Sequence, residues 1–156
     1  MLEVTIPGAE TLRFACLVAD FNGTLAVDGV LIAGVADALS SLSARLEIHV
    51  LTADTFGSAR RAVAGIRCAT TILPSGDQDA AKLRYVEDLG ADRCVCIGNG
   101  RNDRRMLASA GLGIAVIQGE GAAVETLLAA RIVAPDIGTA LGLLLNPRRL
   151  VATLRS

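Results

Sequence analysis

Along the chain, apolar runs of strand length alternate with segments whose apolar residues recur at helical spacing. Phe14 to Ala19, Leu46 to Leu51, Cys68 to Leu73, Arg93 to Ile97 and Leu112 to Val116 are nearly continuous apolar runs, as in strands covered on both faces. Arg131 to Ala134 is a shorter one. Between them, helical periodicity predicts helices over Ala33 to Ala44, Phe56 to Gly65, Asp77 to Leu89, Asp103 to Ala110 and Ala122 to Ala130. Ser75 or Asp77 is placed to cap the third helix and Gly90 to end it. A further helix over Asp136 to Leu145 is stopped by Asn146-Pro147. Strands alternating with helical crossovers predict an α/β chain: a single-domain, three-layer, Rossmann-like fold around a central, mainly parallel sheet.

The 156 residues, 52% of them apolar, match the usual size of one domain with its own core. No repeat, linker or charge block divides them. The expected organisation is one domain over 1–156, with an N-terminal strand at 2–7, a core over 12–147 and a basic C-terminal tail at 148–156. Fifteen basic against sixteen acidic residues give no field for nucleic acid, and four aromatics provide no stacking platform. The N-terminus lacks the charged and apolar regions of a signal peptide, and Leu141 to Leu145 is too short to span a bilayer, so no membrane partner is expected. Cys16, Cys68, Cys94 and Cys96 sit in apolar segments, as reduced core cysteines do, and the expected location is cytoplasmic. His49, flanked by Ile48 and Val50, reads as a core residue.

In open parallel sheets, ligands bind beyond the carboxyl ends of the strands. The residues there are Asp20-Phe21-Asn22-Gly23-Thr24 after the first run, Thr52 after the second, and Gly98-Asn99-Gly100-Arg101-Asn102-Asp103 after the fourth; Lys82 lies on the helix before the fourth. Gly98-x-Gly100 lacks the third glycine of a dinucleotide loop, because Asp103 occupies that position. Lys82 is the only lysine beside fourteen arginines. A compact ammonium and a planar guanidinium are not interchangeable, so a lone lysine points to a tight site.

These four segments, in order, resemble the motifs of the haloacid dehalogenase-like superfamily: an Asp-x-Asp-x-Thr loop, a strand-terminal Ser or Thr, a Lys, and an acidic loop. The resemblance runs from Phe14 to about Pro147. Ile97-Gly-Asn-Gly-Arg-Asn-Asp103 with Leu112-Gly-Ile-Ala115 looks most like the phosphorylation domain of P-type ATPases and its small soluble relatives. The resemblance implies a Mg²⁺-dependent phosphohydrolase or phosphotransferase working through an aspartyl-phosphate. Asp20 would be the nucleophile; Thr52 and Lys82 would hold phosphoryl oxygens, with Gly23 and Asn22 in the phosphate loop. Asp20, Asp103 and the Asn22 carbonyl would bind the metal, with Asn99 behind them.

Two positions depart from the phosphatase pattern. Asn22 replaces an aspartate that protonates the leaving group and activates water, and an amide does neither. Asn99 replaces an acid near the metal and should weaken Mg²⁺ affinity. The expectation is a preference for good leaving groups; the alternative is a regulatory module that binds phosphate and metal with little or no turnover. About thirty residues separate Asp20 from Thr52, and as many separate Thr52 from Lys82, leaving no room for a cap domain. Ala26 to Val30, with its Asp28-Gly29 turn, reads as a small hairpin flap. The open site suits a phosphorylated substrate, small molecule or macromolecule, or a second copy acting as lid in a homo-oligomer.

Overall fold

A computed structural model describes all 156 residues. Its centre is a six-stranded, wholly parallel sheet: β3 (Cys16–Asp20), β6 (Glu47–Thr52), β7 (Ala69–Ile72), β8 (Cys94–Gly98), β9 (Leu112–Val116) and β10 (Ile132–Ala134). The spatial order is β10-β9-β8-β3-β6-β7. The chain therefore runs outward from β3 through β6 to β7, then crosses back to build the other side. The point where the order reverses lies beside β3, and such a point opens a crevice at the carboxyl ends.

β3, β8 and β9 are buried at every position, as their apolar sequence requires, with Asp20 at the end of β3 the one charged residue among them. On one face, Leu17, Ala19, Val50, Val95, Ile97 and Ile114 pack with helices α1 (Val35–Leu42) and α6 (Ile137–Leu145). On the other, Val18, Cys96 and Ala115 meet α3 (Gln78–Leu89) and α4 (Arg104–Ser109) through Val86, Met106 and Leu107. Helices α2 (Ser58–Ala62) and α5 (Val124–Ala129) are short. Asp77 caps α3 by accepting from the Ala80 amide at 3.2 Å, and Gly90 ends it at φ 87°. The flap is a hairpin of β4 (Ala26–Val27) and β5 (Val30–Leu31). Asp28 (φ 51°) and Gly29 (φ 76°) give the paired positive angles that match the strands' twist. No helix is long and apolar enough to cross a membrane.

Two segments differ from the expected pattern. β1 (Leu2–Thr5) pairs antiparallel with β2 (Thr11–Phe14), a strand hidden by its strict alternation: Leu12 and Phe14 point inward and Arg13 outward. The expected basic tail at 148–156 is instead largely helix α7 (Pro147–Leu154). Pro147 ends α6 but serves as the first residue of α7, where its fixed φ and missing N–H cost nothing. Leu150 is fully buried, with Val151 and Leu154 against the same core, while the arginines face water. Burying Leu150 contributes about 2 kcal/mol, enough to hold a short helix on the body.

Candidate active site

β3 carries Asp20 to the middle of the sheet's carboxyl edge, between Leu51 of β6 and the end of β8. Phe21, fully buried, donates its amide to the Leu51 carbonyl at 3.0 Å, fixing the loop's departure. The chain then doubles back at Gly23, whose φ of +78° suits only glycine, and the Gly23 amide donates to the Ala26 carbonyl at 2.7 Å.

Lys82 projects from α3 with 1% of its surface exposed. Its Nζ donates to Asp20 Oδ1 and to Asp103 Oδ1, both at 2.6 Å. Asp103, fully buried, accepts on Oδ2 from the amides of Asn99 (3.0 Å) and Gly100 (2.9 Å). A β-carbon on Gly98 would stand 2.5 Å from Asp103 Cγ, so glycine is what lets this carboxylate lie against the strand end.

Two buried carboxylates thus share one ammonium. Burial, then repulsion from Asp103, pushes Asp20 up to about 7 against the pull of Lys82. Burial would lower Lys82, but the two carboxylates outweigh it and hold the ammonium above its usual range. Two carboxyl groups face a single ammonium in a dry setting, so acidic groups outnumber basic ones here. Asp20 Oδ2 accepts from no other side chain, and the Asn22 carbonyl accepts from no backbone amide. An all-oxygen donor set with surplus negative charge and unoccupied acceptors fits a hard divalent cation.

Thr52, 1% exposed, ends β6 beside Asp20's strand. Its Oγ1 accepts the Asp54 amide at 3.0 Å, leaving its own hydroxyl proton free to donate. Asp54 in turn accepts from the Phe56 amide (2.8 Å), the Ala59 amide (3.1 Å) and the Ser58 hydroxyl. These bonds, the Ser58 hydroxyl first, hold its carboxyl down at about 2.

Asn22 is exposed. Asn99 is spent on tying loops: Thr24 donates to its Oδ1 at 3.1 Å, and its Nδ2 donates to the Gly121 carbonyl at 2.9 Å. Asn102 donates to Gln78 Oε1 at 2.9 Å, across to α3. The sequence reading overlooks Gln118, whose Nε2 donates to the Gly23 (2.9 Å) and Thr24 (2.6 Å) carbonyls while its Oε1 accepts the Ile137 amide at 2.9 Å. It follows β9 by two residues, so a scan of polar residues beyond the apolar runs would have found it.

No protein-family model matches the sequence. An uncharacterized protein of Methanocaldococcus jannaschii is 46% identical over an alignment of 84 positions that covers 51% of this chain and 90% of the relative. Among solved structures, 3-deoxy-D-manno-octulosonate 8-phosphate phosphatase of Moraxella catarrhalis, in complex with magnesium, phosphate and its sugar acid, superposes with TM-score 0.71. It is 15% identical, over 91% of this chain and 94% of that one. The cobalt-bound deoxy-D-mannose-octulosonate 8-phosphate phosphatase of Haemophilus influenzae gives 0.71 at 14% identity, over 92% and 94%. The catalytic domain of the CPx-ATPase CopB-B gives 0.62 at 28% identity, over 75% of this chain and 46% of that one. The chain has the fold of haloacid dehalogenase-family hydrolases, without a cap domain, and shares a family with the Methanocaldococcus jannaschii protein.

Proposed function

We propose that the protein is a Mg²⁺-dependent phosphohydrolase or phosphotransferase in which Asp20 is transiently phosphorylated. The observation that carries this reading is Lys82 bridging Asp20 and Asp103 at 2.6 Å in a buried site at the sheet's switch point. Phosphatases among the structural neighbours, one holding magnesium and phosphate, lend support.

An Asp20 carboxylate oxygen attacks phosphorus as the bond to the leaving oxygen breaks, and that oxygen departs with the electron pair. Water then attacks the phosphorus, releasing phosphate and restoring the carboxylate. Thr52 donates its free hydroxyl proton to a phosphoryl oxygen, and Lys82 keeps Asp20 charged and oriented while countering charge in the transition state. Gly23 lets the backbone pass close to the phosphoryl group. Asp20, Asp103 and the Asn22 carbonyl would hold Mg²⁺, with Asn99 behind them, and the ion would neutralise carboxylate and phosphate together.

Asn22 offers no proton to the leaving oxygen, a loss of roughly 10²–10⁴-fold for poor leaving groups. Acyl, aryl and anhydride phosphates are therefore the favoured substrates. Val30, beside the flap's turn, and Phe56, four residues after Thr52, are exposed apolar side chains (70% and 87%); with an uncapped site they suit a large phosphorylated partner or a second copy of this chain. The two amides at Asn22 and Asn99 favour one other reading, a regulatory module that binds metal and phosphate without turnover.

Aryl phosphate with Mg²⁺ separates the two. Turnover lost in Asp20→Asn supports the enzyme. Equal background in both proteins, with phosphate binding by calorimetry, supports the module.

A further inference from the structure

At the opposite, amino-terminal edge of the sheet lies a second group of chemically capable side chains. Cys16 opens β3; its register partners are Glu47 on β6 and Cys94 on β8. Strand alternation puts His49, two residues after Glu47, on the same face. Ligand atoms of Cys16, Glu47 and His49 all lie within 4.8 Å of one another, and His49 Nε2 is 3.9 Å from Glu47 Oε2. His49 is 9% exposed, yet its Nε2 has no hydrogen-bond partner. Its Nδ1 is engaged with the Tyr85 hydroxyl at 3.0 Å. Leaving a buried polar nitrogen unmatched costs about 1–3 kcal/mol, while anchoring one ring nitrogen so that the other is aimed is how ligating histidines are held.

We propose that Cys16, Glu47 and His49 form a binding site for a zinc-class transition-metal ion. A mixed sulfur, nitrogen and oxygen set suits a borderline-soft cation and is poor for Mg²⁺, and three protein ligands leave one position open. Zinc bond lengths at tetrahedral angles place neighbouring donors roughly 3.4–3.6 Å apart, so the group must close by about 1 Å. The Glu47 side chain, 78% exposed, is free to supply that movement. Burial lowers the proton affinity of His49, favouring the neutral, ligating imidazole. Burial raises the Cys16 thiol, so an incoming ion must displace that proton. A cavity of about 520 Å³, bordered by Met1, Arg45, Glu47, His49 and Cys68, gives the ion a path from solvent. Cys16 and His49 share their strands with Asp20 and Thr52, so an ion here would brace, from the far end, the two strands that carry the phosphoryl site.

Co²⁺ titration of the whole chain in excess Mg²⁺, which keeps the oxygen site filled, tests the assignment. The expected result is one equivalent bound, with a thiolate-to-cobalt absorption band, displaced by Zn²⁺ and lost in Cys16→Ser. Glu47→Gln, at an exposed position, and Tyr85→Phe should each weaken cobalt binding by about ten-fold. A native protein that shows no sulfur band overturns the proposal. So does a band that persists in Cys16→Ser at an affinity that Glu47→Gln leaves unchanged.

Discussion

A β-carbon on Gly23 would stand 2.5 Å from the side-chain Nδ2 of Asn99, so the loop after Asp20 and the loop that bears Asp103 interlock where only glycine fits. Gly23→Ala therefore meets a clash and a φ of +78° together. Strain of this kind costs about 1–3 kcal/mol, and denaturant unfolding should show a loss of that size or more. Mg²⁺-dependent aryl-phosphate turnover should fall with it. Unchanged stability would mean that the two loops can part freely.

Lys82 is the only cation hydrogen-bonded to two buried carboxylates. Removing one member of a buried ion pair costs about 3–5 kcal/mol because its partners stay charged and dry. Lys82→Met should lose stability on that scale, and adding Asp103→Asn should restore part of it. A double-mutant cycle with strictly additive losses would show that the ammonium does not offset these charges.

Asn22→Asp puts an exchangeable proton beside the leaving group. Turnover of alkyl phosphates should rise by roughly 10²-fold or more, with aryl phosphates gaining less. Steady-state kinetics on the two substrate classes measures the ratio, and equal gains would contradict the missing-acid account.

The Asp54 carboxyl, held at about 2 by Ser58 and two backbone amides, makes the loop after Thr52 acid-sensitive. Its pKa is depressed on folding, so its contribution is present above the ordinary carboxylate range near 3.9 and lost as pH falls through about 2. The stability gap between native protein and Asp54→Ala should be constant near neutrality and shrink below about pH 4. Thermal melts across that window decide it.

Motif order picks out Asp20, Lys82 and Asp103, which the fold brings to hydrogen-bond distance, because chemistry gathers at strand ends and those ends carry distinct residue types. The five long apolar runs announce the sheet for a similar reason: inner strands buried on both faces leave no polar interruption, although the run that becomes edge strand β7 is only half-buried. The N-terminal hairpin was harder to read, since Leu12, Arg13 and Phe14 alternate instead of forming a run. Helix α7 was masked by its arginines, with Leu150 its one fully buried residue and Val151 and Leu154 only partly covered. Gln118 works through backbone groups of distant loops, its place two residues after β9 being its one mark, while Asp54 holds amides of its own loop. The pairing of Glu47 with Cys16 depends on strand register, which follows only once the order of the strands is known.

β3 has a hydrogen-bonded neighbour on each side, and two further strands beyond β8 and one beyond β6 shield it from the sheet's margins. Amide deuterium uptake should therefore be slowest through Leu17, Val18 and Ala19, and fastest along β7 and β10. Asp20 stands on the stretch of backbone that opens last, so fraying at either rim leaves its carboxylate and the Lys82 bridge undisturbed.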